Sequence, residues 1–235
     1  MNVTEVLNEL ESFGSETTKK TLMRHGAKEP FFGVRVADLK RILKKIKGDQ
    51  KLALELYATG NSDAMYLAGL LADGSKMTDA KLGQWAKKAY WYMISEYTVA
   101  WVASENQNGW RLALEWIDSD KENIASSGWA ALSAIISVKP DSELDIKLIR
   151  KLLLRVEKSI HKSQNRVRYT MNGFVIACAA FILELSDVAV ETSKRIGKVD
   201  VEMGGTACKV PFAPEYIEKI KARRKIGQKK KTVKC

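Results

Sequence analysis

Apolar residues recur at helical spacing along almost the whole chain, whereas the alternating pattern of strands is scarce. In residues 38–46, Leu39, Ile42, Leu43 and Ile46 follow the i, i+3, i+4, i+7 pattern, and lysines occupy the opposite side. This segment is therefore predicted to be an amphipathic helix. Residues 63–72 are apolar on nearly all sides, which predicts a central, buried helix. Together the patterns predict about a dozen short helices joined by tight turns.

Short helices in close succession favour a layered all-α fold. Consecutive antiparallel pairs that stack on their neighbours would form an α-solenoid of the HEAT type, in which no pair buries its apolar face alone. The sequence shows no clean repeat period, so the repeats would be degenerate, and a globular helical bundle is the alternative. We expect one helical-repeat domain over 1–215, with a concave basic and aromatic face, followed by a basic helix and tail over 216–235.

Composition narrows the class of protein. A hydrophobic fraction of 46% is sufficient for a core, and no apolar run approaches the roughly 18 residues of a membrane span. The amino terminus lacks the pattern of a secretory signal. Cys178, Cys208 and Cys235 are odd in number and widely spaced, which predicts a reduced, cytoplasmic protein without a disulfide framework. With two histidines and no Cys-x-x-Cys, we expect no metal site and no membrane partner.

Most of the excess positive charge lies at the carboxyl terminus. The formal net charge is +11, and nine basic residues with no acidic residue fall between Lys219 and Lys234, which leaves about +2 for the rest. Such a segment suits a polyanion such as nucleic acid, and a solvated tail without a specific partner is the alternative. The candidate phosphate contacts in this segment are Lys219, Arg223, Arg224, Lys229, Lys230 and Lys231.

Aromatic residues concentrate between 85 and 129, a stretch that holds all six tryptophans. Rings at this density either fill a core or line a concave wall that grips a flat or cationic group. Glu96 stands among them, next to Tyr97 and four residues after Tyr92. Because glutamate is almost never fully buried unless it is paired, Glu96 is predicted to lie at a surface edge or to have a functional role.

The chain resembles the AlkD-like family of DNA alkylation repair proteins, which are HEAT-like helical-repeat DNA glycosylases. The resemblance covers roughly 18–185 and rests on the segment Phe-Phe-Gly-Val-Arg-Val-Ala-Asp-Leu-Lys at 31–40, on Trp-Ile-Asp-Ser-Asp at 116–120, and on the segments 63–72, 91–102 and 165–181. These are diffuse helical signatures rather than sharp catalytic motifs. The resemblance implies a HEAT-like solenoid that binds double-stranded DNA carrying alkylated bases.

The resemblance also implies a candidate active site. The family's cleft aromatic falls on Tyr92 with Trp91 beside it, its aspartate four residues later falls on Glu96, and its later tryptophan falls on Phe174. These positions keep aromatic or acidic character but change residue type. The family's cleft arginine falls near Trp129, which cannot replace it.

The implied reaction is hydrolysis of the N-glycosidic bond of N3- or N7-alkylated purines, with the base still stacked in an open cleft. Glu96 would stabilise the developing sugar cation, as carboxylates do in glycoside hydrolysis. Tyr92, Trp91 and Phe174 would frame the lesion and the sugar, and a plain core position is the alternative for Phe174. No cofactor is required.

Arg166, Arg168 and Asn172 belong to the predicted helix 165–181. Cations in the first turn of a helix oppose its dipole, so a partner for these arginines is expected: either a DNA phosphate or a carboxylate of a neighbouring helix. Tyr92 and Glu96, at i and i+4, would share one face of a continuous helix.

Three functional hypotheses follow from the sequence. The first is an alkylpurine DNA glycosylase, expected to be a cytoplasmic monomer, and nucleoid-associated in a bacterium. The second is a non-catalytic HEAT-like module that binds damaged or structured nucleic acid. The third is a protein-binding scaffold with an incidental basic tail.

Overall fold

The computed structural model describes residues 1–234, and within that range every regular element is helical. Cys235 lies outside the described residues. The helices are α1 (Val3–Phe13), α2 (Glu16–Arg24), α3 (Val36–Ile46), α4 (Gln50–Ala58), α5 (Ser62–Leu71), α6 (Asp79–Lys88), a π-helix (Met93–Val99) continued by α7 (Ala100–Ser104), α8 (Gly109–Trp116), α9 (Glu122–Val138), α10 (Ile146–Ser159), α11 (Asn165–Phe181), α12 (Ser186–Ile196) and α13 (Ala213–Ala222). The predicted all-α class is confirmed.

The helices form two layers. An inner layer is built from α5, the π-helix with α7, α9 and α11, each of which packs on the next, while α4 packs on α5, α8 on α9, and α12 on α11 from outside. α13 packs on α11 and α12 at the carboxyl-terminal end. This stacking of helix pairs is that of a HEAT-like solenoid, and α5 has the central, wholly buried position that its sequence predicts.

Two local features stand out in the helices. Asn2 caps α1, because its side chain accepts from the backbone N–H of Glu5 while the Glu5 side chain accepts from the N–H of Asn2. The helix after α6 begins at Met93 and winds as a π-helix through Val99 before α7 continues it. Such wide turns often occur at functional sites.

The amino-terminal ends of the inner helices meet along one edge of the solenoid. Asn123 in the first turn of α9 donates to the carbonyl oxygen of Ala86 (2.8 Å), and Gln164 before α11 donates to that of Asp120 (2.8 Å). Trp91 donates through its indole N–H to the Ser62 hydroxyl at the start of α5 (2.8 Å). We call this surface the amino-terminal edge. It comprises the first turns of α5, α9 and α11 and the segment 86–92.

The core contains several residues whose environment the sequence alone did not determine. Trp129 is fully buried and packs edge to face on Phe174, with ring centroids 5.1 Å apart. Cys178 is a buried thiol, as its apolar surroundings predict. Within 1–234, no single helix is long and apolar enough to span a membrane. Only the pair 165–181 and 183–196, which is bent by 116°, meets the length and hydropathy criteria jointly.

Candidate nucleic-acid interface

A buried ion pair joins the π-helix to the first turn of α11. Arg166 donates from Nε to Oε1 of Glu96 (2.7 Å) and from Nη2 to Oε2 (2.6 Å), so the contact is bidentate. The Glu96 side chain is 3% exposed and that of Arg166 is 14% exposed. Of the two partners that the sequence allowed for Arg166, the structure therefore shows the carboxylate.

Two aromatic rings enclose the Arg166 guanidinium. Its central carbon lies 4.3 Å from the ring centroid of Tyr92 and 4.3 Å from that of Tyr169. Each contact is a cation–π interaction, which gains strength where water is excluded. The backbone N–H of Arg166 also donates to Oε1 of Glu122 on α9 (2.8 Å). Tyr92 and Glu96 thus meet at Arg166, across the wide turn of the π-helix.

Burial sets the ionisation of this cluster. Desolvation raises the pKa of Glu96 to about 7, and it outweighs the hydrogen bonds and charge of Arg166, which lower that pKa. Burial also raises the pKa of Tyr92 and of Tyr169, and it brings the pKa of Tyr97 to about 12. The three phenols are therefore neutral at physiological pH, and a pKa raised to about 7 means that Glu96 is ionised in its pair with Arg166 above about that pH.

Each oxygen of Glu96 is held by a hydrogen bond within the protein. Stabilisation of a sugar cation requires a carboxylate that faces the reacting carbon, but both oxygens of Glu96 already accept from Arg166. The expected positions of Trp91 and Phe174 are also corrected. Phe174 lies in the core against Trp129, and Trp91 is buried with its N–H bound to Ser62. Of the expected framing rings, only Tyr92 is half-buried beside the ion pair.

Residues expected to hold phosphates on α11 occupy different environments. Asn172 is buried and donates to the carbonyl oxygen of Pro211 (2.9 Å), so it fixes the loop before α13 instead of facing DNA. Arg168 is partly exposed, and its Nη2 lies 3.4 Å from the Asn165 side-chain oxygen. Arg168 therefore remains a candidate phosphate contact, whereas Asn172 is an internal structural residue.

The basic carboxyl terminus is only partly a free arm. Lys219, Arg223, Arg224 and Lys231 are exposed. Lys229 instead forms an ion pair with Asp141 (2.7 Å), and Lys230 lies over the Phe181 ring at 5.3 Å. The expectation of a continuous phosphate-binding arm is therefore wrong for Lys229, whose charge is already paired inside the molecule.

A second group of cations, which sequence reasoning missed, lies along the amino-terminal edge. It consists of Lys28, Lys87, Lys88, Lys121 and Lys162, each exposed and without an ion-pair partner among residues 1–234. Lys28 reaches this edge because its carbonyl oxygen accepts from the Tyr90 hydroxyl (3.2 Å). The available sequence signal was the placement of lysines at the end of α6 and just before α9 and α11.

The edge also has negative groups. Asp120 is exposed there, and Glu122 is engaged by the Arg166 backbone. Asp63 in the first turn of α5 is buried and accepts from the backbone N–H groups of residues 32–34, and Glu29, next to Lys28, pairs with Lys19 (2.7 Å). Because the inner helices begin at this edge, their positive dipole ends add to the five lysine charges, although the Asn61 side chain accepts from N–H groups in the first turn of α5 and Glu122 accepts from the N–H of Arg166. No cluster of three or more His, Cys, Asp or Glu side chains in 1–234 could hold a metal ion.

Several known proteins are similar to this chain in sequence or in fold. The family model described as "DNA alkylation repair enzyme" matches residues 6–198. An uncharacterized protein of Listeria monocytogenes is 34% identical, covering 92% of this chain and 96% of its own length, and one of Listeria innocua is 33% identical, covering 92% and 95%. A solved structure matches with a TM-score of 0.93 and 39% identity over the full length of both chains. It is described as "a new family of proteins related to the HEAT-like repeat DNA glycosylases with affinity for branched DNA structures".

These matches define a class of protein and then a family. The all-helical, HEAT-like fold is that of proteins related to the HEAT-like repeat DNA glycosylases. The chain belongs to the DNA alkylation repair enzyme family. The resemblance suggested by the sequence is thereby confirmed for the family and the fold.

Proposed function

We propose that this protein binds branched DNA along its amino-terminal edge and does not excise bases. The observation that carries the proposal is the state of Glu96. Its two oxygens are bound by Arg166 in a pair that is almost closed to solvent, so the carboxylate expected to drive base release is occupied. The amino-terminal edge nevertheless carries free positive charge from five exposed lysines.

The amino-terminal edge supports DNA binding through two physical effects. Backbone N–H groups at helix starts bind phosphate oxygens directly. Lys87, Lys88 and Lys121 border these helix ends and carry charges that no residue in 1–234 neutralises. Phosphate contacts of this kind supply affinity that does not depend on base sequence, and they suit recognition of DNA by shape.

A branched substrate is favoured by the solved relative. That protein has affinity for branched DNA structures and shares 39% identity with this chain over its full length. A contact surface confined to one edge also fits DNA arms that diverge from a branch point, because each arm can follow the row of helix ends without being enclosed.

The alkylpurine glycosylase expected from the resemblance is the second candidate. The family's description as a repair enzyme and the convergence of Tyr92 and Glu96 at one site favour it. For catalysis, Arg166 would have to release Glu96 on DNA binding. That step would break two charge-assisted hydrogen bonds in a dry environment, which are stronger than neutral ones.

Lysine substitutions on the amino-terminal edge test the proposed interface. We expect Lys87→Ala, Lys88→Ala and Lys121→Ala each to weaken binding to a four-way junction. Each should reduce the slope of log K against log salt by up to about 0.9, because each removes one phosphate contact. Fluorescence anisotropy across a salt series measures both quantities.

The control variants are Lys147→Ala and Lys151→Ala, which remove exposed charges on the outer helix α10. They change net charge equally but should leave the salt slope unaltered. Equal slopes for edge and control variants would place the interface elsewhere. Equal affinity for the junction and for a linear duplex of the same length would contradict the preference for branched DNA.

A further inference from the structure

The carboxyl-terminal segment 224–234 lies across the ends of three inner helices. The backbone N–H of Gly227 donates to the Ala180 carbonyl oxygen near the end of α11 (2.8 Å), and that of Lys230 donates to the Ser137 carbonyl oxygen near the end of α9 (2.7 Å). Helix ends leave carbonyl groups without intrahelical partners. The segment satisfies several of these groups in succession, as a strap crossing the carboxyl-terminal edge of the inner layer.

Two lysines anchor this strap. Lys229 Nζ donates to the Ile136 carbonyl oxygen (2.9 Å) and pairs with Asp141 (2.7 Å), and its side chain is 19% exposed. Lys234 Nζ donates to the carbonyl oxygen of Ala72, the residue that ends α5, and pairs with Glu105 (2.8 Å), with a side chain 16% exposed. Cations are favoured at the carboxyl-terminal ends of helices, where the dipole is negative.

The strap also borders the groove along the inner helices. Lys230 and Val233 form part of the wall of a cavity of about 430 Å³, whose other walls include Tyr97, Trp101 and Tyr169. With the strap in place, these two residues cover part of the inner-helix surface that a duplex in the groove would have to contact.

We propose that Lys229 and Lys234 are specificity-determining residues that hold the strap across the groove and so exclude continuous duplex DNA from the concave face. DNA is then restricted to the amino-terminal edge, where diverging arms of a branch are accepted. This inference rests on the proposed function, because it explains how a branched substrate is selected over a linear one. Release of the strap would open the groove and add a second surface for linear duplex.

Position within the carboxyl-terminal segment does not by itself make a lysine an anchor of the strap. Lys231 lies between the anchors, carries the same charge and is exposed. Removal of its charge cannot loosen the strap, whereas removal of either anchor charge does. Lys231 therefore provides a matched control within a few residues of both anchors.

The test compares Lys229→Ala and Lys234→Ala with Lys231→Ala in the full chain. We expect each anchor variant to bind linear duplex about tenfold more tightly than the unaltered protein, since the loss of a buried charged contact raises the fraction of open molecules by about this factor. Lys231→Ala, which removes an exposed candidate phosphate contact, should bind linear duplex no more tightly than the unaltered protein. Affinity for the four-way junction should change no more than in Lys231→Ala. Trypsin should cleave within 224–231 faster in the anchor variants.

Asp141→Asn tests the strap independently, because it makes the protein more positive whereas the lysine variants make it less positive. It removes the partner of Lys229 and should raise both linear-duplex affinity and cleavage at 224–231. If the anchor variants and Lys231→Ala weaken binding to linear duplex equally, the lysines act only as phosphate contacts and the strap proposal is overturned. Absence of junction binding by the unaltered protein would instead defeat the proposed function, so the two failures are distinguishable.

Discussion

Replacing Arg166 with alanine is expected to lower the free energy of unfolding by about 3–5 kcal/mol at pH 8, the range typical of removing one partner of a buried ion pair. The substitution leaves Glu96 in a site where its side chain is 3% exposed, and it removes the cation held between Tyr92 and Tyr169. Glu96 must then take up a proton at a pH where it is otherwise ionised. Urea denaturation measures the change.

A second arginine in the chain provides the matched control. Arg195 forms the same kind of bidentate pair with Glu157 (2.8 and 2.9 Å), but the side chains are 51% and 25% exposed. Arg195→Ala should therefore lower the free energy of unfolding far less than Arg166→Ala does, because solvent screens the exposed pair. If the two substitutions lower the free energy of unfolding equally, burial does not make the Arg166–Glu96 pair different from the Arg195–Glu157 pair. That result would contradict the role given to burial of Glu96.

The stability of the protein is expected to depend on pH through Glu96. In the folded state burial raises the pKa of Glu96 from 4.5 to about 7. A carboxyl group with a raised pKa binds its proton more tightly when folded, so its contribution to stability is fully present below about pH 4.5 and is lost as pH rises to about 7. That loss amounts to about 3 kcal/mol.

Glu96→Gln isolates this contribution, because glutamine has nearly the same shape and does not titrate. Relative to this variant, the unaltered protein should lose about 3 kcal/mol between pH 4.5 and pH 7 and change little above pH 8. Urea denaturation at several pH values gives the difference. If the unaltered protein gains stability over the variant as pH rises, Arg166 lowers the Glu96 pKa more than burial raises it, and the ionisation assigned here is wrong.

Much of the fold could be predicted from hydrophobic periodicity. The segment 38–46 lies in α3, and 63–72 lies in α5 except for its last residue, because their apolar patterns reflect burial that local sequence determines. The π-helix at Met93–Val99 could not be predicted. Its wider turn depends on packing against other helices, including the close approach of Gly69 to Thr98, where an added Cβ would lie 2.7 Å from a methyl carbon.

The candidate site was only partly predictable. Glu96 could be singled out because a carboxylate among aromatic rings needs a partner, but the identity of that partner depends on a contact across 70 positions of sequence. Phe174 was misplaced because an aromatic on an apolar helix has the same sequence pattern in a core as in a cleft.

The basic tail was misjudged for a similar reason. Its charge is visible in the sequence, but the carbonyl oxygens and carboxylates that Lys229 and Lys234 contact are set by the tertiary fold. The row of lysines on the amino-terminal edge escaped notice because its members are dispersed over 28–162 and converge only when the inner helices stack.

Release of alkylated bases tests the central claim most directly. Methylated duplex DNA would be incubated with the unaltered protein and with Glu96→Gln, at concentrations where anisotropy shows the DNA to be bound, and free N7-methylguanine and N3-methyladenine would be quantified. The account predicts no release above the protein-free rate from either protein, because Arg166 occupies both oxygens of Glu96. Release by the unaltered protein that is lost in Glu96→Gln would contradict it and establish a glycosylase.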